Sequence, residues 1–310
     1  MPLNVAAAVS GQYGPQRCPG ASDGRPVPSD VRSGGSQMPH LMIRAMNNHE
    51  LNVTSSSSTA SPETPPEPLL DPVIEIESLV HRYGDTEVLH GIDLTVGAGE
   101  IFGFLGHNGA GKTTTIHVLT TLIKPASGSA RVCGFDVVAE RLDVQRNIGY
   151  LPENVRLYDS LTAAENLRFF AQLSGVEDVP RAIDETLGIL DCRELADRRL
   201  GTFSKGMRQR IGIAQAILHR PRVLFLDEPT SGLDPMGVRQ LRETIVRLNA
   251  ELGITIFMNT HLLSEVARVC TTIGVLAEGV LIYNDSLERT LERFPNEASL
   301  EDIYVRLDDQ

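Results

Sequence analysis

Eight consecutive residues, Gly106, His107, Asn108, Gly109, Ala110, Gly111, Lys112 and Thr113, restrict what this chain can become more than any others. They follow the apolar run "EIFGFL" and precede "TTTIHVL", so the spacing G-x-x-x-x-G-K-T falls between a buried strand and a helix. Glycines at these places let successive backbone N–H groups turn inward around an anion, and the helix start adds partial positive charge. Lys112 is placed to reach the outer phosphates of a nucleotide, and Thr113 offers a hydroxyl to Mg2+. Only three lysines (Lys112, Lys124, Lys205) occur in 310 residues, so a lysine at this one position is a selective signal. A strand, a phosphate-binding turn and a helix in that order imply an α/β fold.

The pattern on either side agrees. "VIEIESLV" and "EVLHGIDLTV" alternate as half-buried strands, and "SGSARVCGFDV" reads as another strand-like piece. A helix is expected over about 112–122. The middle of the chain turns helical. Thr162 and Glu165 form a capping box, Leu167, Phe170 and Leu173 share one face, and Gly175 ends the run. Ile183, Leu187 and Leu190 align in "VPRAIDETLGIL". Buried strands then return as "RVLFLDEP" and "ITIFMNT". They alternate with helices at 237–252 and 262–270, and a strand at 272–277 leads into a hairpin through Glu278 and Gly279. The expected architecture is a doubly wound phosphate-loop core with an antiparallel β subdomain and an inserted α-helical subdomain at about 155–215. Residues 1–70 hold ten of the 18 prolines and the stretch "TSSSSTASPETPPEP". They read as a disordered tail, with 71–310 as the folded domain.

Two further places carry chemistry. "VLFLDEP" ends an apolar strand on two adjacent acids, Asp227 and Glu228, an arrangement suited to a cation. Asp227 fits Mg2+, directly or through water, and Glu228 is placed to polarise an attacking water. In "TFSKGMRQRIGIAQAIL", Ser204 looks like a helix N-cap, with Met207, Ile211, Ala214 and Leu218 as an apolar stripe. Such a start, with Gly206 beside it, suits a second anion.

The remaining composition mainly excludes. With 28 basic against 40 acidic residues the net charge is -12, unlike a protein that tracks a nucleic-acid backbone. The four cysteines (Cys18, Cys133, Cys192, Cys270) form no CxxC, and the eight histidines show no close ligand spacing. No apolar run approaches the ~18 residues that a bilayer span requires. The opening "MPLNVAAAVSGQ" lacks the basic region of a secretion signal.

Together these motifs identify a resemblance. From about 73 to 283 the chain resembles the ATP-binding subunit of an ABC transporter: "GHNGAGKT" resembles its Walker A motif, "VLFLDE" its Walker B, "FSKGM" its signature, "SGLDP" its D-loop and "NTHLLSE" its switch-histidine segment, while "IGYLPEN" stands at its Q-loop. The resemblance implies an ATPase with ATP and Mg2+ as cofactors. Residues 106–114, with Thr114 following Thr113, would hold the phosphates, and Tyr83 would stack on adenine. Thr113, Asp227 and Glu153 would serve the metal. Glu228, His261 and Lys112 would act in catalysis. Ser204, Gly206 and the D-loop Asp234 would serve the nucleotide of a second subunit, in a homo- or heterodimer.

Four positions in three motifs depart from the family pattern: Glu153 replaces glutamine, Lys205 and Met207 replace glycine and glutamine in the signature, and His107 replaces proline. Glu153 adds negative charge beside a triphosphate, and Lys205 faces either the partner's γ-phosphate or solvent. "YLPEN" with "SKGMRQR" and "THLLSEV" is similar to ATPases of ABC-2 type permeases, mostly exporters of drugs, lipids or polysaccharides. It is also similar to the ATPase of nitrous oxide reductase copper-site maturation. Either implies an integral-membrane permease partner and a peripheral place at the cytoplasmic face of the membrane. The alternative is a soluble ABC ATPase acting on ribosomes or nucleic acid. Such proteins carry two cassettes or a long coiled coil, and this chain has one cassette and no sustained heptads.

Overall fold

A computed structural model describes residues 72–308, apart from 296 and 298. The tail expected at 1–70 lies outside the described residues.

Two sheets form the framework. Strands β1 (Pro72–Tyr83), β2 (Thr86–Gly97), β4 (Ser127–Val132) and β5 (Phe135–Asp136) make an antiparallel sheet in the order β2-β1-β4-β5. The second sheet has six strands: β3 (Ile101–Leu105), β6 (Ile148–Leu151), β7 (Val223–Asp227), β8 (Thr255–Asn259), β9 (Thr272–Ala277) and β10 (Val280–Ser286). Their order is β10-β9-β3-β8-β7-β6, parallel except for β10, which pairs antiparallel with β9.

Alternation within the central strands divides the core. Phe102 and Phe104 of β3, Phe225 of β7 and Phe257 of β8 point to one face and pack ring on ring, with centroids 5.0–5.6 Å from Phe257. There they meet the antiparallel sheet and helix α1 (Lys112–Leu119) through Ile74, Ile92, Val96, Ile116 and Leu119. Burial of each such side chain contributes about 1.5–3 kcal/mol. Ile101, Leu105, Leu224, Leu226, Ile256 and Met258 point the other way, into a helical layer.

That layer contains α3 (Ala163–Leu173), α4 (Val179–Ile189), α5 (Lys205–Ile217), α6 (Pro235–Leu252) and α7 (Leu263–Val269). Helix α2 (Arg141–Asn147) precedes β6. Two further helices, α8 (Leu287–Arg293) and α9 (Leu300–Asp308), follow β10.

The sequence-derived fold class holds, and several start signals hold with it. Thr162 and Glu165 form the reciprocal capping box of α3, and Ser204 caps α5 by accepting from Met207 N–H at 3.3 Å. Helix α1 is shorter than the expected 112–122. Thr120 Oγ1 donates to the Ile116 carbonyl at 2.7 Å and Thr121 takes a left-handed φ of 64°, which stops the helix at Leu119. Strand β6 is absent from the sequence reading: "IGYL" is four residues long, fully buried and, among the described residues, paired only with β7, so it offers no alternation to detect. The same holds for α2, α8 and α9, each of nine residues or fewer.

Candidate functional site

The phosphate loop leaves β3 at the sheet edge formed by the C-terminal ends of the parallel strands. A Cβ on Gly106 would lie 2.3 Å from the Leu276 carbonyl oxygen, so the loop approaches β9 as closely as only glycine allows. Gly111, with φ 107°, turns the chain into α1. Lys112 is buried, and its ammonium donates to the carbonyls of Gly106 (2.7 Å) and His107 (3.0 Å). Burial depresses its pKa, and the carboxylates of Glu228 and Asp227 oppose that shift.

Parallel register brings the acid pair to this loop. Asp227 lies opposite Asn259 where β7 meets β8. Asp227 Oδ1 accepts from Thr113 Oγ1 at 2.9 Å and from Asn259 Nδ2 at 2.6 Å, and Oδ2 accepts a long bond of 3.5 Å from the Tyr150 hydroxyl. Tyr150 is buried, and burial followed by the neighbouring Asp227 charge pushes its pKa well upward, so it stays a neutral donor.

Glu228 stands in a left-handed conformation, φ 46°, costly for a residue with a Cβ. Its N–H is held by Asn259 Oδ1 at 2.6 Å. Its carboxylate accepts from His261 Nδ1 at 2.7 Å, with the His261 ring mostly exposed and Glu228 mostly covered. Lys112, Thr113, Asp227, Glu228 and His261 therefore converge, from a loop and two neighbouring strand ends.

Ser204, Gly206 and Asp234 gather elsewhere. They line a hollow with Lys205, Gly232 and Leu233, whereas Gly106, His107, Asn108, Thr260 and His261 line a different cavity. Asp234 caps α6 by accepting from Gly237 N–H at 3.0 Å. Lys205 Nζ lies over Gly232, only 2.7 Å from where a Cβ there would sit, so its side chain crosses its own D-loop. Glu153, exposed after β6, accepts from Ser231 Oγ at 3.0 Å. Tyr83 is half exposed at the end of β1 and meets His81 edge to face at 4.6 Å.

Three residues that matter here went unread in the sequence. Asn259 is wholly buried and links both acids. Its signal was available, a polar residue closing the apolar run "ITIFM" just as Asp227 closes "VLFL". Tyr150 lay inside the unread strand β6. Gln209 of α5 donates to the Pro229 carbonyl at 3.0 Å, fastening that helix to the turn after Glu228; nothing local marks it out.

Among the described residues no three or more His, Cys, Asp or Glu side chains form a closed metal cage. An Mg2+ ion asks for less, one or two carboxylates with water and phosphate oxygens completing an octahedron. The Thr113 hydroxyl and the Asp227 carboxylate, 2.9 Å apart, are hard oxygen donors of that kind.

Known proteins share this arrangement. The ABC transporter family model matches residues 89–231. The chain is 42% identical over 210 residues to the bacitracin transport ATP-binding protein BcrA of Bacillus licheniformis, covering 68% of each chain. It is 36% identical over 212 residues to the linearmycin resistance ATP-binding protein LnrL of Bacillus subtilis, again covering 68% of each. The solved ATP-binding subunit of an ABC transporter superposes with TM-score 0.68 at 31% identity, covering 76% of this chain and 99% of that one. The fold is also that of an ATP-binding cassette solved as a post-hydrolysis dimer with ADP and phosphate (TM-score 0.62, 23% identity, 69% of this chain and 98% of that one). The chain belongs to the ABC transporter family, as an ATP-binding, ATP-hydrolysing subunit. Among the described residues no helix is long and apolar enough to cross a membrane.

Proposed function

We propose that two such subunits, identical or paralogous, close head to tail around two ATP molecules and drive export through a separate ABC-2 type permease at the cytoplasmic face of the membrane. The observation that carries this reading is the separation of the site into two cavities of one chain, the phosphate-loop side and the Ser204–Asp234 side. Neither is a complete triphosphate site; a second chain turned to face the first would complete both. The relatives named for bacitracin transport and linearmycin resistance support a drug-like cargo.

In this reading residues 106–114 wrap the phosphates with backbone N–H groups, and Lys112 turns its ammonium from its own loop carbonyls to the β- and γ-phosphates. Tyr83 offers a flat face to the base. Thr113 and Asp227, with Glu153 nearby in sequence to β6, would hold Mg2+, which when bound supplies charge neutralisation on the phosphate oxygens. Glu228 orients a water in line with the γ-phosphorus and takes its proton as the bond to the β–γ bridging oxygen breaks, giving ADP and phosphate. His261, held by Glu228 at Nδ1, would donate Nε2–H to the γ-phosphate when its ring carries both protons, and Lys112 stabilises the charge there. Ser204 and Gly206 serve the nucleotide of the facing chain, and Asp234 couples the two sites. Binding closes the dimer and hydrolysis reopens it.

The test is an affinity capture of tagged Glu228→Gln chain with MgATP from detergent-solubilised native membranes, paired with its ATPase rate. The expected result is turnover at background and a stoichiometric multi-span membrane protein in the eluate. Capture of ribosomal or DNA-bound partners with no membrane protein would sink the transport reading.

A further inference from the structure

The phosphate loop has an aromatic neighbour in the last helix that none of the six motifs supplies. Helix α9 is seated against α7 and β9 by Leu300, Ile303 and Leu307, all buried. The residue after Ile303, the half-buried Tyr304, turns its ring toward the loop and meets the His107 imidazole edge to face, with centroids 5.5 Å apart at 73°. Tyr304 also lines the same cavity as Gly106, Asn108, Thr260 and His261. The far C-terminal segment thus reaches in between the loop that would hold the triphosphate and the strand end that carries His261.

We infer that Tyr304 is a positioning residue for ATP: it clamps the His107 ring and so fixes the outer arm of the phosphate loop in its nucleotide-ready shape. The inference rests on the nucleotide reading of this site. His107 is tied into the cradle by its backbone, since its carbonyl accepts both from Lys112 Nζ (3.0 Å) and from Ala110 N–H (3.1 Å). A displaced His107 therefore moves the ammonium and the turn together. Histidine brings no covalent restraint on φ, whereas proline would. The Tyr304 ring packs edge to face on the exposed His107 side chain and restrains it from the α9 side. An edge-to-face ring pair is worth about two- to tenfold in an equilibrium constant.

The experiment is a double-mutant cycle on the full chain, reading the MgATP dissociation constant by calorimetry and the KM and kcat of ATP hydrolysis. Tyr304→Leu should weaken MgATP binding about two- to tenfold and raise KM more than it lowers kcat. Tyr304→Phe, which keeps the ring, should restore binding to within about twofold of the parent. In a His107→Pro background, where φ is fixed covalently, Tyr304→Leu should have no further effect on binding. His107→Ala probes the same contact without disturbing the packing of α9, and should match Tyr304→Leu. Equal losses for Tyr304→Leu in the parent and His107→Pro backgrounds would assign Tyr304 to packing alone and overturn the proposal. So would unchanged binding in both Tyr304→Leu and His107→Ala. A parent chain that binds no MgATP would overturn the nucleotide reading and this proposal with it.

Discussion

Asn259 is the residue whose removal tests the site's internal logic most directly. It is fully buried and makes one bond to each acid: Nδ2 donates to Asp227 Oδ1 and Oδ1 accepts from the Glu228 N–H, both at 2.6 Å. In Asn259→Ala the Asp227 carboxylate keeps Thr113 and the long Tyr150 contact but loses its shortest donor. A hydrogen bond to a charged group is worth about 1.5–3 kcal/mol, and a stranded backbone N–H costs about 1–3 kcal/mol more. Part of this returns if Glu228 leaves its φ of 46°, a conformation that costs of order 1–3 kcal/mol to hold. The net expectation is a loss of about 2 kcal/mol in stability, read as a lower urea midpoint.

The same relaxation moves the Glu228 carboxylate, and a misplacement of about 1 Å costs on the order of a hundredfold in rate. Phosphate-release assays should therefore show kcat down about a hundredfold, with MgATP affinity, which rests on the loop, changed far less. A variant destabilised as stated but turning over within about threefold of the parent would refute the reasoning, because Asn259 would then hold strands and not the reacting carboxylate.

Two other outcomes are expected. Glu153→Gln keeps an acceptor for Ser231 Oγ while removing one negative charge. With Glu153 among the groups that hold Mg2+, the Mg2+ requirement should rise, whereas an unchanged requirement with KM for ATP lowered about twofold would take Glu153 off the metal. His219 donates from Nε2 to the Ile148 carbonyl, and burial, opposed by that bond, holds its pKa below the ordinary 6.5. The unfolded chain then binds the proton more readily, so stability is complete above pH 6.5 and is lost as pH falls through the lower folded value. Urea unfolding between pH 5 and 8 should show this acid-side slope, and His219→Gln should flatten it.

Much of this protein was legible before its structure. The loop from Gly106 to Thr113, the acid pair, the Ser204 cap and the Thr162–Glu165 box are written in residues a few positions apart. Their meaning depends only on the local strand or helix around them. Apolar alternation placed the two kinds of sheet and the helices between the later strands. It failed where elements were short or buried all round, as in β6 and α9, because a fully buried "IGYL" and a nine-residue helix carry too little periodicity to register.

The sequence by itself determined the chemistry available: a phosphate-binding turn, a carboxylate pair at a strand end, a histidine after the next strand. The tertiary structure alone decided which groups meet. Thr113 reaches Asp227 across 114 positions and Asn259 reaches it across 32, because parallel strands in register set their ends side by side. Glu228 is forced to a left-handed φ by the turn that leaves β7, and Glu153 finds Ser231 through the β6–β7 pairing. Tyr304 comes to His107 through the packing of α9 on α7 and β9. Local patterns act through neighbours along the chain and can be read there. Long-range contacts arise from register and close packing, which depend on every element at once.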